Sequence, residues 1–492
     1  MEARATRGLL GQNSTMMYST PMSFLPVAQI VILGGGGDLS QRKLLPALFD
    51  LYMRDMLPPV FHIIGLARSP RSNEDYRTFV QSALAKYVTP KEGKHHSLKD
   101  FCDHITYVTG SFDDLDTYTA LKTELEKFDT KQGSVANRIF YLAVPPRHYS
   151  QIFRDLKGSG VTDEAEGTRT NILVEKPFGH NLETAQTLDN ELASLYREDQ
   201  IFRIDHYLAK EAVQNILSFR FANTLLEAPW NKDSIESVTI TMTETLDVGD
   251  RTNFYEGVGA LRDVGQNHLL QLLALTTMRE PTTFTAEDIQ NARAEVLEAL
   301  VPIDRDQLEL SVLRAQYKDY KTHEHIPDTS ETETYFEMKI EVGLPEWEGV
   351  PFYIRTGKAL ANSEVSILVR FKDTLRCMFD ADDCKESSNF IKLTIAPEQI
   401  IEITLNAKAP GLGYRLEKRT LRFVCEKGDT EIKNSYEKVL YDSIVGDRTL
   451  FTTTREVIAA WKFITPIIEQ WQDLSLHTYA KGSDGPDESI IQ

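Results

Sequence analysis

The chain has few cysteines, no long apolar run and no surplus of positive charge, and each shortage removes a class of function. Four cysteines (Cys102, Cys377, Cys384, Cys425) among 492 residues make no disulfide framework. Only Cys377 and Cys384 are close in sequence, at a spacing that matches no common zinc knuckle. Reduced thiols in a cytoplasmic protein, with no metal, are the expectation. No stretch of about 18 apolar residues occurs, so no membrane span is expected. A formal net charge of −19 argues against nucleic acid or an anionic membrane as partner. Glycine and proline stay at ordinary levels, which excludes fibrous and low-complexity classes. No internal repeat is found.

The negative charge sets a further condition. An anionic ligand such as a phosphate ester would be repelled by the whole field, so a local group of Lys, Arg and His has to bind it. Length sets another: 492 residues exceed one compact core and suggest two domains. Residues 1–27 read as a flexible extension. They are basic, with only Glu2 acidic, and lack the continuous apolar core of a secretory signal. An organelle transit peptide is the alternative reading of the same stretch.

Residues 28–204 carry short apolar runs separated by amphipathic stretches. Gln29-Ile-Val-Ile-Leu-Gly34, Phe61-His-Ile-Ile-Gly-Leu-Ala67, Arg138-Ile-Phe-Tyr-Leu-Ala-Val144 and Asn171-Ile-Leu-Val174 read as buried strands. The alternation predicts a parallel sheet with crossover helices, a Rossmann-type α/β domain. Asp38 is a candidate N-cap for a helix from Leu39 to about Met56, kinked or shortened by Pro46. From residue 205 to 480 the pattern changes to period two, in Ser237–Thr243, Thr334–Val342, Val365–Phe371 and Gln399–Leu405. This predicts an α+β domain with a large, mostly antiparallel sheet. Helices are expected over 257–278 and 436–446, and a flexible polar tail over 481–492.

Gly34-Gly-Gly-Gly37-Asp38 stands between a predicted strand and helix, where a dinucleotide pyrophosphate would meet backbone N–H groups. The spacing is not a clean GxGxxG, since Leu39 holds the third position, and a plain tight turn is the competing reading. The second strand ends in Leu66-Ala-Arg68-Ser69 with no acid. An arginine there suits the 2′-phosphate of NADP; a solvated loop arginine is the bland alternative.

Arg203-Ile-Asp-His-Tyr-Leu-Ala-Lys-Glu211 concentrates polar groups. With a helix from Leu208 onward, His206 and Lys210 share a face, and with Tyr207 they make a phosphate pocket. A core histidine and a solvated lysine would look the same. Arg262-Asp-Val-Gly-Gln-Asn-His268 offers an imidazole suited to proton abstraction at neutral pH, or a satisfied core residue. Such a base needs an orienting carboxylate, and Asp205 is the candidate.

These segments occur together with Ile32–Leu39, Glu175-Lys-Pro-Phe-Gly179, Arg355-Thr-Gly-Lys-Ala-Leu360 and Tyr436-Glu-Lys-Val-Leu440. In order and approximate spacing, over residues 28 to 470, the set resembles the glucose-6-phosphate dehydrogenases. The resemblance implies oxidation of glucose 6-phosphate at C1 by NADP, giving a 6-phospho-lactone. His268 would be the general base and Asp205 its partner. His206, Tyr207 and Lys210 would hold the phosphate, and Lys176 would sit between substrate and nicotinamide. Glu244, Asp263 and Lys358 would bind sugar hydroxyls or the C1 end. Gly34, Gly37, Asp38, Leu39, Lys43, Arg68 and Tyr149 would lie along the cofactor, and Pro177 would fix the interdomain turn. Family members associate through the large sheet, so a homodimer or homotetramer is implied.

The chain departs from the family pattern twice. Ala209 stands where members usually carry glycine; a helical conformation there would keep activity. After Lys358, Ala361-Asn-Ser-Glu364 lacks the usual cation, which implies a raised KM and no second, structural NADP site. The competing readings are a related dehydrogenase acting on unphosphorylated sugar and an NADP-binding sensor without catalysis.

Overall fold

The computed structural model describes residues 25–88, 97–373, 388–424 and 434–491. The N-terminal extension up to position 24 and the Cys377, Cys384 and Cys425 thiols lie outside the described residues. Cys102 is a buried free thiol.

The apolar runs of the first half pair with one another. β1 (Ala28–Leu33), β2 (Phe61–Ala67), β3 (Ile105–Thr109), β4 (Asn137–Leu142), β5 (Thr170–Val174) and β6 (Ile201–Ile204) form a parallel sheet in the order β6-β5-β4-β1-β2-β3. Alternate side chains of β1 enter different cores, Ile30 and Ile32 on one face, Val31 and Leu33 on the other. A sheet covered on both faces needs such continuous apolar strands. The irregularity expected at Pro46 is a π turn, Ser40–Leu44, ahead of the α-helix Leu45–Met53. The proline falls at the second position of that helix, directly after the wider turn, which takes up the break that its missing N–H makes in the bonding.

The second half builds a nine-stranded sheet from β7 (Ile235–Thr243), β8 (Val312–Tyr317), β9 (Tyr335–Ile340), β10 (Phe352–Gly357), β11 (Glu364–Phe371), β12 (Phe390–Ala396), β13 (Ile400–Lys408) and β14 (Leu416–Val424). After β15 (Phe451–Thr452) the chain adds β16 (Leu476–Tyr479) at the far edge, so the order is β14-β13-β12-β11-β7-β10-β9-β8-β16. Pairing is antiparallel except between β7 and β10 and between β8 and β16. β15 instead joins the first sheet, antiparallel to β6. A buried pair secures that return: Arg293 donates to Glu456 at 2.8 Å and to the Phe451 carbonyl at 2.9 Å. The two sheets are thereby fastened together at the end of β6, where Asp205 begins its loop.

The stretch after Ala480, expected as a free tail, docks on the second sheet. Ser489 Oγ and Ile490 N each donate to Glu337 at 2.8 Å, and Ile490 packs on the tyrosine-rich cluster that includes Tyr335 and Tyr479. Composition alone missed this because one buried carboxylate and one terminal isoleucine suffice to hold it.

Candidate active site

The segment from Leu261 to Leu269 is a π-helix, whose i→i+5 bonding brings residues five apart onto one face. Asp263 and His268 are such a pair. Gly265 permits the close approach this requires: a Cβ there would lie 2.8 Å from the Phe336 ring. Asn267 Nδ2 donates to the Asp263 carbonyl at 3.1 Å, which also accepts Lys176 Nζ.

Asp205 reaches His268 from the loop after β6. Its Oδ1 is 2.6 Å from His268 Nδ1 and also accepts Tyr207 N at 2.9 Å. An acceptor at Nδ1 fixes the proton there and leaves Nε2 as the basic atom. Both residues are buried, at 2% and 4% exposure. Burial drives the His268 pKa down, Lys176 adds to this, and Asp205 opposes it; the net shift is downward. Burial pushes the Asp205 carboxyl up, but the charge and hydrogen bond of His268 outweigh that and hold it well below the usual range. The pair therefore rests as carboxylate and neutral imidazole. Lys176 Nζ lies 3.0 Å from His268 Nε2, 2.8 Å from the Asp263 carbonyl and 3.4 Å from its Oδ1.

The rest of the cluster surrounds this pair. The His206 ring meets His268 edge-on at 4.8 Å between centroids, and the Tyr207 ring lies 4.4 Å away. Lys210 Nζ sits 3.7 Å over the Tyr207 ring. The expected helix from Leu208 is not present; residues 206–210 form turns, closed by Leu208 N to Asp205 O and Lys210 N to Tyr207 O, and the helix starts at Glu211. The Asp205 carboxylate and carbonyl capture the local N–H groups first. Ala209 is thus in a turn, but not at positive φ, and alanine fits without strain. Burial lowers the His206 pKa to about 3, with His268 and the two lysines adding to it, so at neutral pH His206 is an uncharged donor. Burial also lowers Lys210. Across the cleft Lys358 Nζ bonds Glu244 at 2.6 Å, and the charges of both Lys176 and Lys358 help keep Asp263 ionised against burial.

Two family models cover this architecture. Residues 31–215 match the glucose-6-phosphate dehydrogenase NAD binding domain, and residues 217–491 match the glucose-6-phosphate dehydrogenase C-terminal domain. The chain belongs to the glucose-6-phosphate dehydrogenase family. The glucose-6-phosphate 1-dehydrogenase of Chlamydia pneumoniae is 37% identical over 484 residues, covering 94% of each chain. A solved glucose-6-phosphate dehydrogenase in complex with its substrate glucose-6-phosphate is 34% identical, with a TM-score of 0.86 over 94% of this chain and 95% of that one. The enzyme from Mycobacterium avium is 29% identical, with a TM-score of 0.82 over 94% and 96%.

The glycine turn of this chain fits a dinucleotide. β1 lies between β4 and β2, where the strand order reverses, which is the crevice that α/β folds use for such ligands. Gly34 turns at φ +93, with space for a Cβ closed by the Ala143 carbonyl at 2.3 Å, whereas a Cβ at Gly36 would meet only Ala67, at 3.9 Å. The backbone beside Gly36 is open for a ligand to approach. Asp38 does not cap the helix: it is exposed and pairs with Arg42 at 3.5 Å, and Leu39 already has helical angles with no side-chain cap. Arg68 is exposed at the end of β2. Lys43 and Lys210 line one cleft of about 1750 Å³. Tyr149 is buried under the Glu-Lys-Pro turn and donates to the Glu175 carbonyl at 3.0 Å. The Lys176–Pro177 bond in that turn is cis.

Sequence reasoning overlooked the carboxylate beneath Lys176. Glu175 Oε1 accepts Tyr141 Oη at 2.5 Å, burial raises its pKa, and Tyr436 also bonds it. The Tyr436 ring lies parallel to His206, 6.3 Å between centroids. A buried acid next to a site lysine, in the same turn, was the available signal. Among the described residues no group of His, Cys, Asp or Glu could hold a metal ion, and no helix is long and apolar enough to cross a membrane.

Proposed function

We propose that this chain oxidises D-glucose 6-phosphate at C1 to 6-phospho-D-glucono-1,5-lactone with NADP, the first oxidative step of the pentose phosphate pathway. The observation that carries the reading is the 2.6 Å contact between His268 and Asp205, with the free imidazole nitrogen turned toward Lys176. When bound, NADP supplies the acceptor for the hydride that leaves C1. His268 Nε2 takes the C1 hydroxyl proton, for which that hydroxyl replaces Lys176 as its neighbour. Asp205 then faces an imidazolium and offsets its charge. General-base help of this kind is worth on the order of 10²–10⁴ in rate.

His206, Tyr207 and Lys210 hold the phosphate, and Glu244, Asp263 and Lys358 hold the sugar hydroxyls, which keeps C1 over the base. The backbone from Gly34 to Leu39 receives the pyrophosphate and Arg68 the 2′-phosphate. Activity in the cytoplasm, as a homodimer or homotetramer joined through the large sheet, completes the reading. Exposed Leu421 and Phe423 on β14 support such an association, and sedimentation as a monomer would remove it.

Steady-state kinetics with glucose 6-phosphate and with glucose, each against NADP and NAD, test the proposal. The expected result is turnover of the phosphorylated sugar at least 100-fold more efficient than of glucose, given a cationic phosphate grip. A preference for free glucose would sink it.

A further inference from the structure

Lys358 stands beside the segment from Tyr479 to Ser483. It follows Gly357 at the end of β10, and the next residue, Ala359, sits at φ +55. That is the left-handed region, which a residue with a side chain keeps only when its surroundings hold it there. Ala359 N donates to the Leu246 carbonyl at 2.9 Å, and the Ala359 carbonyl accepts Gly482 N at 2.7 Å. Ala361 N donates to the Ser483 carbonyl at 2.8 Å. Tyr479 Oη donates to the Lys358 carbonyl at 2.7 Å. Three bonds around the strained residue thus come from positions 479–483, beside Lys358 N to the Thr334 carbonyl at 2.9 Å and Leu360 N to the Glu244 carbonyl at 3.0 Å.

The same segment is anchored on both sides of the loop. Lys481 pairs with Asp247 at 2.8 Å. Further on, Ser489 and Ile490 bond Glu337, whose other oxygen accepts Tyr335 Oη at 2.5 Å. The Tyr335 ring closes on Gly357, where a Cβ would lie 2.4 Å from it. None of these bonds involves His268 or Asp205.

We propose that residues 479–491 form a strap that holds Lys358 toward the sugar, with Tyr479 and Gly482 as positioning residues. This rests on the reading of Lys358 as a sugar-binding residue. Without the strap, Ala359 relaxes to negative φ, the backbone of Lys358 turns, and its ammonium leaves Glu244. The strap also occupies the loop at Ala361, the stretch in which this chain lacks a cation.

The test uses the full-length chain in a double-mutant cycle, reading kcat and KM for each substrate. Tyr479→Phe with Gly482→Ala removes the hydroxyl and disfavours the φ of +76 at position 482. It is expected to raise KM for glucose 6-phosphate about tenfold, the equivalent of left-handed strain left unsupported, and to leave KM for NADP unchanged. Adding Ala359→Gly restores most of the loss, because glycine keeps positive φ unaided. In a Lys358→Ala background the strap substitutions change nothing further. Tyr479→Phe alone, expected at about threefold, serves if the double variant does not fold. An unchanged KM, an equal loss without Lys358, or no rescue by Ala359→Gly overturns the strap. If Lys358→Ala itself leaves KM unchanged, the sugar-site reading falls instead.

Discussion

The two walls of the cleft are built in opposite ways. The proton-handling wall buries its reactive groups and bonds them to one another: His268 and Asp205 are nearly inaccessible and share a short contact. The cofactor wall offers open backbone at Gly36 and an exposed guanidinium at Arg68. The difference follows from what each has to do. A base needs a controlled pKa, and burial beside a carboxylate supplies the control. A ligand that arrives and leaves each cycle is better met by N–H groups and a surface cation that cost little to desolvate. Damage to the first wall should therefore appear in kcat, and damage to the second in KM for the cofactor.

The largest expected effect breaks the first wall. His268→Asn keeps a polar side chain but removes the base, and kcat should fall by about 10²–10⁴ with KM for glucose 6-phosphate little changed. The pH profile sharpens the claim. In the proposed mechanism neutral His268 is the working form, and its pKa lies below the ordinary histidine value, so kcat/KM should fall with acidification only below about pH 6.5. An acid limb that survives unaltered in the variant, or unchanged turnover, would remove His268 from the role. The second wall should respond differently. Arg68→Asp exchanges the proposed phosphate-binding cation for a ribose-binding acid, and KM for NADP should rise about 30-fold with kcat retained and NAD affected little. Equal effects on both dinucleotides would show that the 2′-phosphate lies elsewhere.

The same contrast governs how much could be read in advance. Apolar runs such as Phe61–Ala67 located the first sheet, because strands buried on both faces cannot hide their composition. The alternation of Ser237–Thr243 located the second sheet for the converse reason. The partnership of His268 and Asp205 was legible only through chemistry, since a base wants a carboxylate and one was at hand. Local conformation was harder. The π-helix that puts Asp263 beside His268 has no sequence period that separates it from an α-helix, and the turn at 206–210 is imposed by Asp205 capturing nearby N–H groups. Tyr149 is buried beneath the Glu175 turn, a burial that strand and helix spacing cannot reveal. The docked C-terminal segment was invisible because polar composition describes solvation, and its anchoring acid, Glu337, is far away in sequence.

The smallest expected effect lies in the turn after Asp205, at Ala209, where the family resemblance implies a glycine. Its φ is not positive and its methyl group is buried, at 1% exposure, against the core that carries Leu208 and Val213. Ala209→Gly should leave kcat and both KM values within about twofold and should cost about 1 kcal/mol of stability, through greater freedom of the unfolded chain and the lost methyl contact. Thermal melting together with kinetics on the purified variant measures both. A variant that gained stability and bound glucose 6-phosphate more tightly would mean that the turn prefers a left-handed residue once the phosphate is in place. The resting geometry of His206 and Lys210 would then differ from the geometry that works.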